Sequence, residues 1–149
     1  MNRNIISALV VLSVILLAAA SASAHCEIPC GIYDDELRIK EINEHIATIE
    51  KSMNQIMQIE KASPVDYNQL VRWIMNKEDH ADKIQEIVTQ YFMTQRIKTG
   101  TAGYNEKLGL LHQMLLYSMK SKQTTDLENT AKLTDLVKQF ETLYFSEGD

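Results

Sequence analysis

Apolar residues recur every three or four positions through most of this 149-residue chain, which is the spacing of the buried face of an α-helix. The clearest case follows Asp34 and Asp35, either of which can cap a helix. Its apolar positions are spaced 3-4-3-4-3, as in a bundle helix, at Ile39, Ile42, Ile46, Ile49, Met53 and Ile56. Ser63-Pro64 ends this helix and opens the next, because proline suits the first turn of a helix.

The same periodicity predicts three further helices. The second covers about 65–96 and turns inward Leu70, Trp73, Ile74, Ala81, Ile84, Ile87, Val88, Tyr91 and Phe92. Residues 99–103, with two glycines, form the clearest loop. The third covers about 104–122, with Leu108, Leu111, Leu115 and Met119 on its inward face. Ile97, Leu110 and Leu116 are expected to be exposed apolar residues, consistent with interfaces between subunits. The fourth follows Thr124-Thr125-Asp126 and turns inward Ala131, Leu133, Leu136, Val137, Phe140 and Tyr144.

Short connections between long amphipathic helices favour antiparallel neighbours. No segment has the alternating pattern of a strand, and the chain has only 5 glycines and 2 prolines to interrupt helices. The sequence therefore predicts an all-α fold, an antiparallel up-down four-helix bundle over residues 34–149, preceded by an N-terminal metal-binding segment.

The first 24 residues have the three parts of a secretory signal: Arg3, an apolar run from Ile5 to Ala20, and the small residues Ala22-Ser23-Ala24. The alternative is an uncleaved membrane anchor, for which the run is slightly short. We expect cleavage after Ala24 and export to a periplasm or the cell exterior, with an organelle lumen also compatible, and no membrane attachment afterwards. Loss of Arg3 changes the formal net charge from −5 to −6, and this acidity argues against a nucleic-acid partner.

Cleavage would make His25 the N-terminus, so that residues 25–33, here called the hook, would offer a complete set of donors for one metal ion. The His25 amine and the deprotonated Cys26 amide form a chelate ring, which the Cys26 thiolate extends. The Cys30 thiolate can close the plane, and the His25 imidazole can bind axially. A planar set of nitrogen and sulfur donors suits nickel(II) or copper(II) better than zinc.

A disulfide between Cys26 and Cys30 is the alternative, and it is the usual state of two cysteines in an exported protein. That bridge would enclose few residues and would lie outside the bundle, so it would stabilise little. Two other functions remain open on the residues alone: a non-catalytic protein that buffers or delivers nickel or copper, and a helical adaptor with a small disulfide and no metal.

The hook resembles the N-terminal nickel-binding segment of the nickel superoxide dismutases. The family pattern is His-Cys-Asp-x-Pro-Cys-Gly-x-Tyr, and this chain reads His25-Cys26-Glu27-Ile28-Pro29-Cys30-Gly31-Ile32-Tyr33. Only Glu27 departs from it, by one methylene. The resemblance implies that superoxide is the substrate, that dioxygen and hydrogen peroxide are the products, and that nickel cycles between Ni(III) and Ni(II). It also implies one nickel ion per subunit and a homohexamer in which a neighbouring subunit covers each hook.

The same resemblance implies roles for individual residues. The nickel ligands would be His25, Cys26 and Cys30, and Tyr33 would stand over the open face of the metal or pack at the base of the hook. Glu41 falls where the family has a glutamate that orients the metal-bound histidine, although it could equally be a solvated helix residue. The family also has an arginine in this network, for which Arg72 and His80 are the candidates, and Tyr91 is a weaker candidate for a place near the metal.

Tyr91-Phe92 resembles a Tyr-Phe pair on the family's second helix, but core packing is its more ordinary role. No two of the histidines His45, His80 and His112 stand at the helical spacing of a metal-binding pair. We expect each of them to be a partly exposed helix residue.

Overall fold

The computed structural model of the protein describes Ile5 and residues 28–146. The predicted signal peptide, residues 1–24, and the predicted ligands His25 and Cys26 lie outside the part of the chain so described, Ile5 apart. Chain contacts divide the protein into two units, Met1–Tyr33 and Asp34–Asp149. The second unit is built from four helices, and none of the described residues forms a strand. The predicted all-helical class is confirmed.

Helix α1, Asp35–Glu60, begins where the sequence predicts, because the Asp34 carboxylate accepts a hydrogen bond from the Leu37 N–H at 2.9 Å. All six apolar positions of its predicted seam are buried. Helix α2, Tyr67–Glu86, begins three residues after Pro64 and is capped by Asp66, which accepts from the Gln69 N–H. Helix α3 is Tyr104–Gln123 and helix α4 is Glu128–Ser146.

The second predicted helix changes its winding near its end. After α2 the chain continues directly as a π-helical segment, Ile87–Arg96, in which hydrogen bonds span five residues instead of four. The Ile97 N–H donates to the Phe92 carbonyl in this pattern, and the Thr94 hydroxyl and the Gln95 amide reach the carbonyls five residues before them. Such winding is rare and turns side chains to different faces from those of an α-helix.

Contacts between neighbouring helices run in opposite order along the chain. On α1 and α2, His45 meets His80 and Ser52 meets Asn76. On α2 and α3, Lys77 meets Ser121 while Gln85 meets Leu115. On α3 and α4, the Lys107 ammonium lies over the Tyr144 ring, and Tyr144 also reaches Asp35 at the start of α1. Each helix thus packs against the next, and α4 returns to α1.

The core is a single apolar cluster with an aromatic centre. The Phe92 ring lies edge-on to the Phe140 ring at 5.0 Å and to the Tyr144 ring at 5.7 Å, a favoured arrangement of aromatic rings. None of the helices among the described residues combines the length and the apolar character needed to cross a membrane.

Two predicted seams differ from the structure. The first half of α2 is largely outside the core: Ile74 is 39% exposed, and burial begins at Lys77 and Ala81. On α3, Met119 is exposed whereas Leu110 is buried, so the inward face is rotated from the predicted one and comprises Lys107, Leu110, Leu111, Met114, Ser118 and Ser121. Half of this face is polar, which is why an apolar pattern alone placed it wrongly.

A buried lysine caps α3. Lys77 is 4% exposed, and its ammonium donates to the carbonyls of Ser121, Lys122 and Thr124 at the carboxyl end of that helix. These carbonyls have no partner within the helix and carry the negative end of its dipole. A cation placed there satisfies them and joins α2 to α3.

We expect Lys77→Met, which keeps the length of the side chain and removes its charge, to lower the free energy of unfolding by about 1–3 kcal/mol, because buried carbonyls lose their donor. Lys40→Met is the control: Lys40 is an exposed residue whose pair with Glu44 is 3.9 Å long, so its effect should stay within about 0.5 kcal/mol. Urea unfolding of the wild type and the two variants measures both changes in the free energy of unfolding. Equal midpoints and slopes would show that the Lys77 ammonium stabilises nothing.

Candidate metal centre

The described part of the hook is a tight turn. The Ile32 N–H donates to the Pro29 carbonyl at 2.9 Å, and the two residues between them have positive φ, 34° at Cys30 and 84° at Gly31. Positive φ at both central positions is typical of a type I′ turn. Gly31 adopts this conformation without cost, whereas Cys30 is held in a region that residues with a Cβ seldom occupy.

This turn exposes the Cys30 side chain. Tyr33 ends the hook and is 39% exposed. His25, Cys26 and Glu27 precede the described segment, so the ligand set predicted from the sequence stays a prediction. No group of three or more His, Cys, Asp or Glu side chains within the described residues could hold a metal ion.

Four side chains join the elements at the start of α1, and we call them the Asp35 cluster: Asp35, Tyr91, Arg96 and Tyr144. Arg96 binds the Asp35 carboxylate through two nitrogens, with Nε 2.9 Å from Oδ1 and Nη2 2.7 Å from Oδ2. The Tyr91 hydroxyl donates to Oδ1 at 2.6 Å and the Tyr144 hydroxyl donates to Oδ2 at 2.8 Å. Each oxygen of the carboxylate therefore accepts at least two hydrogen bonds.

Tyr91 also holds the backbone next to the hook. Its hydroxyl oxygen accepts a hydrogen bond from the Asp34 N–H at 2.9 Å, while its proton goes to Asp35. Tyr91 is 4% exposed, and its ring lies edge-on to the Phe92 ring. The side chain thus belongs to the core, as the sequence suggests, and fixes the first residue after the hook as well.

The cluster sets the charge states of its members. Burial raises the pKa of Asp35, but the hydrogen bonds from Arg96, Tyr91 and Tyr144 outweigh it, so the pKa lies below its ordinary value. Burial and the bond to Asp35 raise the pKa of Tyr144 to about 12, and they also raise the pKa of Tyr91. The bond to Asp35 also raises the pKa of Arg96. The carboxylate stays charged and both phenols stay neutral at physiological pH.

The π-helical segment explains how Tyr91 and Arg96 reach the same carboxylate. In an α-helix two residues five positions apart point about 140° away from each other around the axis. In a π-helix the hydrogen-bonded ring spans five residues, so these two positions lie nearly above one another. The unusual winding brings phenol and guanidinium to one face.

Glu41 lies nearly two helical turns after Asp35 on α1 and is held by an arginine. The Arg38 Nη1 is 2.7 Å from Glu41 Oε2, with both side chains about one-third exposed. The Arg38 guanidinium also lies over the Tyr91 ring, 5.2 Å from its centre. Arg38 connects Glu41 to the Asp35 cluster, and its spacing of three residues from Glu41 was the signal available in the sequence.

Arg72 and His80, the two candidates for the partner arginine of the family, have neighbours other than Glu41 in the contacts that the structure describes. Arg72 lines a surface groove of α1 and α2 with Thr48, Lys51 and Trp73. His80 meets His45, with the two Nδ1 atoms 3.0 Å apart. His45 and His80 are partly exposed helix residues, as expected. That they meet could not be predicted, because the spacing along one helix says nothing about a pair formed between two helices.

The family model of the nickel-containing superoxide dismutases matches residues 20–147 of this chain. The chain belongs to this family. As a member it is an oxidoreductase that contains nickel and acts on superoxide. Searches of curated proteins and of solved structures gave no significant match. The thiolate and nitrogen donors of the hook are of the kinds that bind nickel, so the hook suits the metal of a nickel superoxide dismutase.

We expect Asp35→Asn to lower the free energy of unfolding at pH 7 by about 2–3 kcal/mol, because the Arg96 guanidinium loses its counter-charge in a partly buried place. The native pKa of Asp35 is below the unfolded value of 3.8, so this contribution is complete above that value and is lost as the pH falls through the native pKa. The difference between wild type and variant should therefore shrink below about pH 4.

Glu36→Gln is the control for this experiment, because Glu36 is an exposed acid in the same first turn of α1. Denaturant titrations between pH 7 and pH 3 measure all three proteins. A wild-type advantage that persists unchanged at pH 3 would mean that the charge of Asp35 is not what stabilises the cluster.

Proposed function

We propose that residues 25–33 form the nickel-binding hook of a superoxide dismutase and that the enzyme acts after removal of residues 1–24. The family match, which begins ahead of His25 and extends to residue 147, is the observation that carries this proposal. The ligands would be the amine and imidazole of His25, the amide nitrogen and thiolate of Cys26, and the thiolate of Cys30. The turn at Pro29–Ile32 supports it, because the chain reverses at Cys30.

Nickel, when bound, supplies a one-electron Ni(III)/Ni(II) couple, so that two superoxide ions and two protons give dioxygen and hydrogen peroxide. The anionic thiolates and the deprotonated amide favour the higher oxidation state, which brings the couple into the range that superoxide needs. The protein must also admit a small anion and supply protons. Tyr33, at the end of the hook, has a phenol that can order water or an anion on the path of the substrate.

Glu41 is proposed to orient the His25 imidazole by accepting a hydrogen bond from its N–H. Ligand histidines are commonly fixed in this way by a carboxylate. The ion pair with Arg38 supports the role, because it leaves the second oxygen of Glu41 available while restraining the side chain. Asp35 lies nearly two turns earlier on the same helix, and its cluster restrains the backbone at Asp34, where the bundle begins.

We further propose that the four helices form the antiparallel up-down bundle and that the protein assembles as a homohexamer after export. The reversed order of contacts between neighbouring helices supports the topology. Three apolar side chains at intervals of four residues on α2 are exposed: Tyr67, Val71 and Met75. They support an association between subunits, because apolar surface is more stable when it is buried than when it is in contact with water.

Two variants test the hook. We expect Cys30→Ser, and separately the addition of one residue ahead of His25, to abolish nickel binding and superoxide turnover while the helical content is unchanged. The first removes a thiolate, and the second removes the amine from its chelate ring. Intact mass, nickel content and the electron paramagnetic resonance signal of Ni(III) are the measurements, together with turnover of superoxide.

The matched control adds the same residue after Asp149, at the other end of the chain, and should keep full activity. If the protein extended ahead of His25 still binds nickel in the same geometry, the proposed processing and the amine ligand are wrong. If wild type binds one nickel ion and gives no turnover, the protein binds the metal without catalysis.

We expect Glu41→Gln to reduce turnover roughly 10- to 100-fold, because the His25 ring loses a charged acceptor that orients it. Glu44→Gln is the control: Glu44 is exposed on the same helix and pairs only loosely with Lys40. Turnover is measured at equal nickel content, along with the nitrogen coupling in the Ni(III) spectrum. Unchanged coupling and rate would place Glu41 among ordinary surface acids.

A further inference from the structure

Two possible metal ligands, His45 and His80, meet between α1 and α2. His45 and His80 face each other with Nδ1 atoms 3.0 Å apart, ring centres 4.9 Å apart and ring planes at 74°. Two imidazole nitrogens that bind one metal ion at 2.0–2.1 Å are about 2.9–3.4 Å apart, for bond angles between square-planar and tetrahedral. The pair therefore already has the separation of two ligands on a single ion.

We propose that His45 and His80 form a second metal site, distinct from the hook, which takes one divalent first-row transition ion through both Nδ1 atoms. Imidazole is a ligand for zinc, copper and nickel alike. The site has two protein ligands, because the described residues contain no cluster of three or more His, Cys, Asp or Glu side chains around one point. Water completes the coordination shell, as in sites that exchange their metal.

The protonation states of the pair favour binding. Burial lowers the pKa of His45, as do His80 and Lys83, while Glu41 and Glu44 oppose this. Burial and Lys83 likewise lower the pKa of His80, against Asp79. Both rings are thus neutral at pH 7, and a neutral imidazole has a lone pair to donate. The charged groups that act on the pair are three carboxylates and one ammonium, a balance that attracts a cation.

The hydrogen bond between the rings does not block the site. At 3.0 Å the Nδ1–H of one ring donates to the bare Nδ1 of the other, whose own proton is on Nε2. Metal binding requires only that the donor ring move its proton from Nδ1 to Nε2, which is a change of tautomer. Each ring then has its proton on Nε2, and no proton leaves the protein.

The test uses the full chain from His25 in which His25→Gln, Cys26→Ser and Cys30→Ser together disable the hook, with Zn²⁺ as the probe at pH 7.5. We expect isothermal titration to show one zinc ion per chain. His45→Gln and His80→Gln, each added singly, should weaken binding at least about tenfold, because each removes one of two ligands. His112→Gln is the matched control and should bind as the parent does, since His112 is an exposed histidine on α3.

A second measurement does not depend on whether these variants fold. In the parent chain, the ring-proton resonances of His45 and His80 should shift together during the zinc titration while those of His112 stay in place. Loss of zinc binding in only one of the two variants, unchanged binding in both, or equal shifts of all three histidines would each overturn the proposal. Because the hook is disabled throughout, none of these results bears on nickel binding by residues 25–33.

Discussion

The arrangement of this end of the bundle depends on the hydrogen bonds of the Asp35 carboxylate. Asp35 is the first residue of α1, and its partners come from the π-helical segment and from the last turn of α4. Three parts of the chain that are far apart in sequence therefore meet on two oxygen atoms. Because every lone-pair direction on those oxygens has a donor, the cluster fixes the relative rotation of its elements as well as their distance. Apolar packing against Phe92 alone would leave that rotation less well determined.

The π-helical winding follows from this requirement. Ten residues of π-helix are an unusual length, because the wider coil packs its own backbone less well than an α-helix does. The bidentate ion pair of Arg96 and the hydrogen bonds of Tyr91 compensate for this, since both side chains need the same face to reach Asp35. The π-helical segment ends with Arg96, which is aligned to the Asp35 carboxylate. Arg38, stacked on Tyr91, connects the same network to Glu41.

The sequence predicted local structure well where an apolar seam was regular, as in α1, whose start and buried face are both confirmed. It failed where polar groups are buried: Lys77 and the serines of α3 occupy inward positions that hydropathy assigns to solvent. The Asp35 cluster could not be predicted, because its partners are 56, 61 and 109 positions away and the π-helical winding has no apolar signature. The family was accessible from nine residues, since their pattern, directly after a predicted processing site, is more specific than any helix pattern.

The π-helical segment also constrains how this part of the chain can change over evolutionary time. A π-helix accommodates one more residue per hydrogen-bonded ring than an α-helix, so a single deletion between Ile87 and Arg96 would let the segment rewind as ordinary α-helix. The helix itself would gain from that rewinding, but the effect on the Asp35 cluster depends on where the residue is lost. A deletion between Tyr91 and Arg96 would leave them four positions apart, on one face of an α-helix, so that both still face Asp35. A deletion ahead of Tyr91 would leave them five positions apart and turn Arg96 away from Asp35. The position of a length change in this segment therefore decides whether the cluster is kept.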